Sequence, residues 1–281
     1  MSWLVLPMQY AFMQRGMIAA VLVGLLCSVV GTYVVLRSMA FLGDALAHAI
    51  LPGVAIAYLV GGNLLVGALI AAILVALGIG FFTRGGTVRE DTAIGILFSA
   101  ALALGVALIS SIRSYAVDLS HIIFGNVLGV GPADLWLIAG LTLVVLLVVV
   151  ILFRPLFVVS FDPVMAKTLR LPVTLLSNLL LVLLALTIVV SLQTVGIGLV
   201  AAMLVTPGAT AYLLTRRLAP MMAIAAAIGV VSSIIGLYLS YYLNIVSGSA
   251  IVLVATAFFL IAFFFAPHKG WVWQRLHAQR R

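Results

Sequence analysis

The chain has 281 residues, 66% of them hydrophobic and 7% charged. Soluble domains run at about 45–50% apolar and about 25% charged, so a water-soluble globular protein is excluded and a polytopic helical membrane protein is indicated. The net charge of +8 comes from 14 Lys+Arg against 6 Asp+Glu, spread over many connecting loops, which argues against a nucleic-acid surface. The single cysteine, Cys27, excludes a disulfide framework and a thiolate metal cluster within one chain.

Taken in order, residues 1–13 hold Trp3, Pro7, Tyr10 and Phe12, residues that favour a membrane interface. No basic leader precedes them, so a cleavable signal peptide is not expected. Apolar runs then predict spans at 17–36, 39–60, 64–82, 92–112, 133–153, 173–192, 195–214, 221–243 and 249–266. Residues 113–132 are mixed and read as a short helix at the interface. The fold class is therefore all-α, a single transmembrane domain over 1–281 with about eight or nine transmembrane helices. Pro52-Gly53 and Pro207-Gly208 read as helix breaks, two weakened helices of the kind that form pseudo-symmetric pairs in transporter folds.

Nine spans place the two termini on opposite sides. One side then receives 12 of the 14 basic residues, among them Arg37, Arg84, Arg89, Arg154, Lys167 and Arg170; Arg15 and Arg113 fall on the other. The positive-inside rule makes the first side cytoplasmic, with the C-terminus cytoplasmic and the N-terminus external.

Three stretches carry chemistry. Within the second span, Asp44 and His48 are four residues apart and share a helical face. An Asp at a helix centre costs about 2.5–3.5 kcal/mol on insertion scales, so the pair needs a reason to be there. Oxygen and nitrogen donors suit manganese, iron or zinc, and the absence of sulfur argues against copper(I). Two ligands are few, and two chains meeting at a two-fold axis would supply four. The plainer alternatives are an Asp44–Arg37 pair with His48 on a carbonyl, or a proton relay. Alongside, Ala45, Ala49, Gly53 and Ala57 form a small-residue stripe that lets a neighbouring helix come close. A second pair, Asp118 and His121, is three residues apart on the external side and is a candidate metal entrance, or simply an exposed interfacial pair.

The third stretch is the connection 154–172. Asp162 is a good N-cap and Pro163 fits the first helical position, so a short surface helix is expected over 164–171, stopped by Pro172. A loop needs no such helix unless it docks a partner. No phosphate-binding Gly-x-x-x-x-Gly-Lys-Ser/Thr exists, and the only lysines are Lys167 and Lys269, so this chain does not hydrolyse nucleotide by a P-loop mechanism.

Residues 37–53, RSMAFLGDALAHAILPG, resemble the signature of the manganese/zinc permeases of ABC importers. REDTAIGILF at 89–98, VDLSHIIFGNVL at 117–128, FDPVMAKTLRLP at 161–172 and VGIGLVAAMLVTP at 195–207 are similar to further blocks of that family. The resemblance implies a fold like the type II ABC importer permeases and a homodimer in the bacterial inner membrane. It implies two cytoplasmic ATP-binding subunits docked on Phe161, Asp162, Lys167 and Arg170, and an external metal-binding protein. It assigns the metal path to Asp44 and His48; the helix breaks at Pro52, Gly53, Pro207 and Gly208 are read from the residues themselves as gating positions. The metal (manganese favoured, zinc or iron the alternatives) is cargo, and no resident cofactor is expected. The family usually has Gly where Arg170 stands. A stand-alone proton-coupled carrier is the competing reading, with Asp44 and His48 as its relay.

Overall fold

A computed structural model of the protein describes residues 6–86, 88–111, 127–215 and 217–266. Its helices are α1 (Ala11–Leu36), α2 (Ala40–Ala49), α3 (Leu51–Leu59), α4 (Leu64–Phe82), α5 (Glu90–Ser110), α6 (Pro132–Ile151), α7 (Phe153–Phe161), α8 (Pro163–Thr168), α9 (Val173–Val195), α10 (Ile197–Leu214), α11 (Leu218–Leu243) and α12 (Ser247–Phe265). Among the described residues, eight helical segments are long and apolar enough to cross a membrane, with α2 and α3 counted as one, and α10 is a shorter apolar helix.

Most boundaries follow from local chemistry. Asn63 caps α4 by accepting from the Leu65 and Val66 amides at 2.9 and 3.4 Å. Asp134 reaches back to the Gly131 amide at 3.1 Å, and Pro132 opens α6 where no amide is needed. α9 and α10 are separated by Gly196 alone, at φ +84° and ψ 162°, a conformation open to glycine and little else. α1 begins six residues before the predicted 17, because its polar residues are tied down. Gln14 donates to the Met8 carbonyl at 2.7 Å and Arg15 to the Ala11 carbonyl at 3.2 Å.

Helix α1 is the hub. It packs against α11, α10, α6 and α9, and 72% of its apolar window is buried against 22% for α5 and for α6. In lipid no hydrophobic drive separates helices from solvent, so close packing must hold them together. Small residues permit it. A Cβ at Gly24 would meet Ser233 Oγ and, at 2.7 Å, the Gly229 carbonyl; a Cβ at Gly229 would meet Ser28 Oγ and the Gly24 carbonyl. The two serines at this α1–α11 crossing turn back on their own helices: Ser28 donates to the Gly24 carbonyl at 2.6 Å and Ser233 to the Gly229 carbonyl at 2.8 Å. Cys27 is buried, with Sγ 3.0 Å from Ser191 Oγ of α9, and serves as a small core residue.

One expected helix break is present and the other is not. The span at 39–60 is interrupted at Ile50, beside Pro52-Gly53, into α2 and α3. Pro52 has no N–H for the His48 carbonyl, and the Ile50 amide turns onto that carbonyl instead. Pro207, by contrast, does not break its helix: α10 runs through it. Gly208 serves there as a packing position, where a Cβ would meet Val35 Cγ2 at 3.1 Å and the Gly31 carbonyl at 3.2 Å. The two Pro-Gly steps are therefore not equivalent.

Candidate metal path and docking end

Ala40–Ala49 is rich in Ala and Leu, good helix formers, and the helix sets Asp44 and His48 on one face. His48 Nε2 lies 3.6 Å from Asp44 Oδ1, and the side chains are 35% and 39% exposed. At about 1.5 Å per residue, His48 sits roughly 12 Å along the axis from the start of α2. The pair faces outward from the single chain. Aromatic rings frame it: Phe98 of α5 is 6.0 Å from the His48 ring and meets Phe41 edge-on at 5.8 Å. Past His48 the same flank opens into an apolar groove of about 570 Å³, lined by Pro52, Gly53, Ile56, Gly67 and Leu104 among others.

Asp44 does not pair with Arg37. Arg37 is turned away, with Nη1 at 3.5 Å from Glu90 Oε1 and Nη2 donating to Ser177 Oγ at 2.9 Å. Its side chain is 8% exposed, and burial lowers its pKa while Glu90 raises it. The small-residue stripe beside the pair is used up within the chain. Ala45 and Ala49 are buried. A Cβ at Gly53 would meet the Gly67 carbonyl of α4, and one at Gly67 would meet Ala57 Cβ at 2.6 Å. What stays open is the adjacent row, Asp44, His48 and Ile56. Among the described residues, no group of three or more His, Cys, Asp or Glu could hold a metal ion. Among the described residues, Asp44 and His48 are thus a pair of candidate ligands, an oxygen and a nitrogen, short of a complete set. Asp118 and His121 lie outside the described residues.

The connection after α6 folds as two helices. Asp162 Oδ1 accepts from the Val164 and Met165 amides at 2.9 and 3.0 Å, and Pro163 begins α8, as the sequence indicates. Helix α7 was not anticipated. Its Pro155 falls in the first turn, where proline is tolerated, and Leu156 and Val159 are buried. Ala166 anchors α8 with no exposure, while Phe161, Val164, Met165 and Leu169 are 71, 72, 54 and 54% exposed. Lys167 and Arg170 are exposed too. This apolar surface stands at the charged end of the bundle. A crevice of about 340 Å³ there is lined by Arg84, Glu90, Lys167, Thr174, Ser177 and Asn178, with Thr83 and Pro163.

Sequence and structure comparisons decide which kind of transporter carries these features. A model of the ABC 3 transport family matches residues 9–266. The chain is 51% identical over 263 residues to the manganese transport system membrane protein MntC of Halalkalibacterium halodurans, covering 94% of this chain and 90% of that one. It is 45% identical over 261 residues to the manganese import system permease protein ScaB of Streptococcus parasanguinis, covering 93% of each. Among solved structures, PsaBC from Streptococcus pneumoniae in complex with Fab matches with a TM-score of 0.85 at 39% identity, over 99% of both chains. The chain belongs to the ABC 3 transport family.

It is a multi-pass membrane permease subunit of a metal ABC importer, not an enzyme, and nothing favours the stand-alone carrier. Within the permease, Arg170 now has a local explanation. It follows α8 at φ +55°, with its amide on the Lys167 carbonyl at 3.0 Å and the Leu171 amide on the Ala166 carbonyl at 3.1 Å. That is a Schellman closure, whose left-handed position favours glycine. Ser38 occupies the same kind of position after α1, at φ +58°. Sequence reasoning missed the Phe41–Phe98–His48 cluster and the Arg37–Glu90–Ser177 link. The first brings Phe98 of the 89–98 block onto Phe41 and His48 of the 37–53 block, and the second adds Ser177, which lies outside every quoted block, so no spacing rule pairs them.

Proposed function

We propose that two copies of this permease meet across the α2 flank and pass a divalent metal, manganese in preference to zinc or iron, between their Asp44 and His48 pairs. The observation that carries this reading is the half-exposed Asp44–His48 pair on an outward face, with two ligands where a transit site needs about four. A second copy doubles the donors and removes two ionisable groups from contact with lipid. A site of exposed carboxylates and imidazoles remains weak enough to release its ion, as transport requires. Likeness to proteins named for manganese supports that metal.

In this reading the charged end bearing Arg37, Arg84, Lys167 and Arg170 is cytoplasmic, as the positive-inside rule indicates. The C-terminus is on that side and the N-terminus outside. Phe161, Val164, Met165 and Leu169 are the apolar contact for ATP-binding subunits, with Asp162, Lys167 and Arg170 shaping and rimming it. An external metal-binding protein delivers the ion, and ATP binding by the partners, acting through α8, drives alternating access. Asp118 and His121 would serve as an outer entrance. Pro52 and Gly53 supply the hinge at the α2–α3 joint; Pro207 and Gly208 act as a gating position within the unbroken α10.

The test is metal competition in vesicles that hold the full complex, with ATP supplied on the side of the ATP-binding subunits. Manganese uptake that requires ATP, falls when zinc or iron competes only at higher concentration, and is lost in Asp44→Asn is expected. Uptake that survives Asp44→Asn would remove the pair from the path.

A further inference from the structure

Arg37 stands where three parts of the chain meet. It caps the C-terminal end of α1, three residues before α2 begins at Ala40, and the joint is stiff. The Ser38 amide donates to the Val35 carbonyl at 3.1 Å, the Met39 amide to Val34 at 3.0 Å and the Leu42 amide to Met39 at 3.0 Å. Anything that moves the Arg37 backbone therefore moves the start of the helix that carries Asp44 and His48.

One Arg37 partner, Ser177, belongs to the first turns of α9. α9 follows α8 through a short connector that is itself closed by backbone bonds, Leu171 to Ala166 at 3.1 Å and Val173 to Leu171 at 2.8 Å. A displacement of α8 is thus handed to the start of α9. The other partner, Glu90, is the first residue of α5, and its carboxylate suits that helix end. Two turns later α5 presents Phe98 against His48 and Phe41. Arg37 so links α8–α9 on one side with both helices that frame the metal pair on the other. Guanidinium, with a planar fork of donors and a permanent charge, is suited to hold two partners at once. Across the 340 Å³ crevice, Lys167 of α8 shares a wall with Glu90, Ser177 and Asn178. Closing that space would bring a second cation towards the carboxylate that Arg37 holds.

We infer that Arg37, held by Glu90 and Ser177, is a positioning residue that couples movement of α8 and α9 to the orientation of α2, with Lys167 a competing partner for Glu90 when the crevice closes. The coupling half of this inference rests on the proposed docking of ATP-binding subunits at α8; the positioning of α2 does not. Breaking the link leaves a buried cation short of a partner and frees the pivot of α2, without touching either metal ligand.

Two measurements test it. In the permease alone, carrying Cys27→Ala, a spin label on Phe41→Cys reports the attitude of α2. Arg37→Gln and Glu90→Gln are expected to give a second, more mobile spectral component, and Arg37→Lys, which keeps the charge and loses the two-partner fork, a smaller one than Arg37→Gln. In vesicles with the ATP-binding subunits, manganese uptake and ATP hydrolysis are followed together. Glu90→Gln, which is isosteric, and Ser177→Ala are expected to assemble normally, with hydrolysis within about twofold of the parent. Metal moved per ATP should fall about tenfold in Glu90→Gln, which removes the ion pair that Arg37 makes at 3.5 Å, and about threefold in Ser177→Ala, which removes one acceptor of the guanidinium and leaves the ion pair in place. An unchanged label spectrum in both Arg37→Gln and Glu90→Gln, or uptake and hydrolysis that stay in their parental ratio, would overturn the inference. Met165→Asp is the control on docking: complexes that form normally with it sink the docking reading, while the label spectra still decide the role of Arg37.

Discussion

The α2 flank and the α8 end of the molecule are mirror cases. On the flank, a polar pair sits among apolar side chains: Asp44 and His48 beside Phe41, Phe98 and Ile56. At the α8 end, apolar side chains stand among charges: Phe161, Val164, Met165 and Leu169 near Arg84, Glu90 and Lys167. Each is out of keeping with its surroundings, and each is costly left as it is. The difference between them is chemical. The flank has donors for a cation and too few of them; the α8 end has apolar area and no ligand set. On the proposed function, the first is the place for cargo shared with a second copy and the second the place for a protein partner.

The strongest way to break this contrast is to remove the donors. Asp44→Asn and His48→Ala are each expected to lower metal uptake by about a hundredfold or more, since losing one ligand per chain halves the shared donor set. Expression and membrane insertion should be unchanged by gel and by circular dichroism. Near-normal uptake in either variant would make the flank an ordinary lipid surface.

Next comes the apolar end. Val164→Asp with Met165→Asp should prevent co-purification with ATP-binding subunits, because two charges are then placed in a contact that depends on apolar burial. The detergent-purified permease should keep its melting temperature, as both side chains are exposed. A fall in melting temperature with intact co-purification would mean these residues serve the fold instead.

A third change asks whether small residues matter on the flank or only inside. Gly229→Leu must force α11 away from the Gly24 and Ser28 backbone and hydroxyl, costing about 3 kcal/mol or more. Gly95→Leu, on the open side of α5 with nothing within 4 Å of an added Cβ, should cost little in the single chain. If it nonetheless weakens association of two copies, measured by cross-linking in membranes, the paired surface extends onto α5.

The smallest effect is expected at Arg170. Arg170→Gly relieves a left-handed position that costs a side-chain residue about 1–2 kcal/mol, offset in part by the greater freedom of glycine when unfolded. A rise of a degree or so in melting temperature, with ATPase coupling retained, is the outcome anticipated. A loss of coupling would show that the Arg170 side chain itself takes part at the α8 end.

Much of this protein is written locally. The apolar runs predicted the spans, because lipid demands about 20 apolar residues and internally satisfied backbone. The Asp162 cap and Pro163 start of α8 needed only neighbouring residues, and so did the shared face of Asp44 and His48. Tertiary structure decided the rest, through partners distant in the chain. It turned Arg37 from Asp44 to Glu90 and Ser177. It spent the Gly53 stripe on Gly67 and left the Asp44–His48 row open. It let α10 run through Pro207 while Ile50 divides α2 from α3. Helical periodicity states which residues share a face; only packing states which face is covered and which is left for a partner.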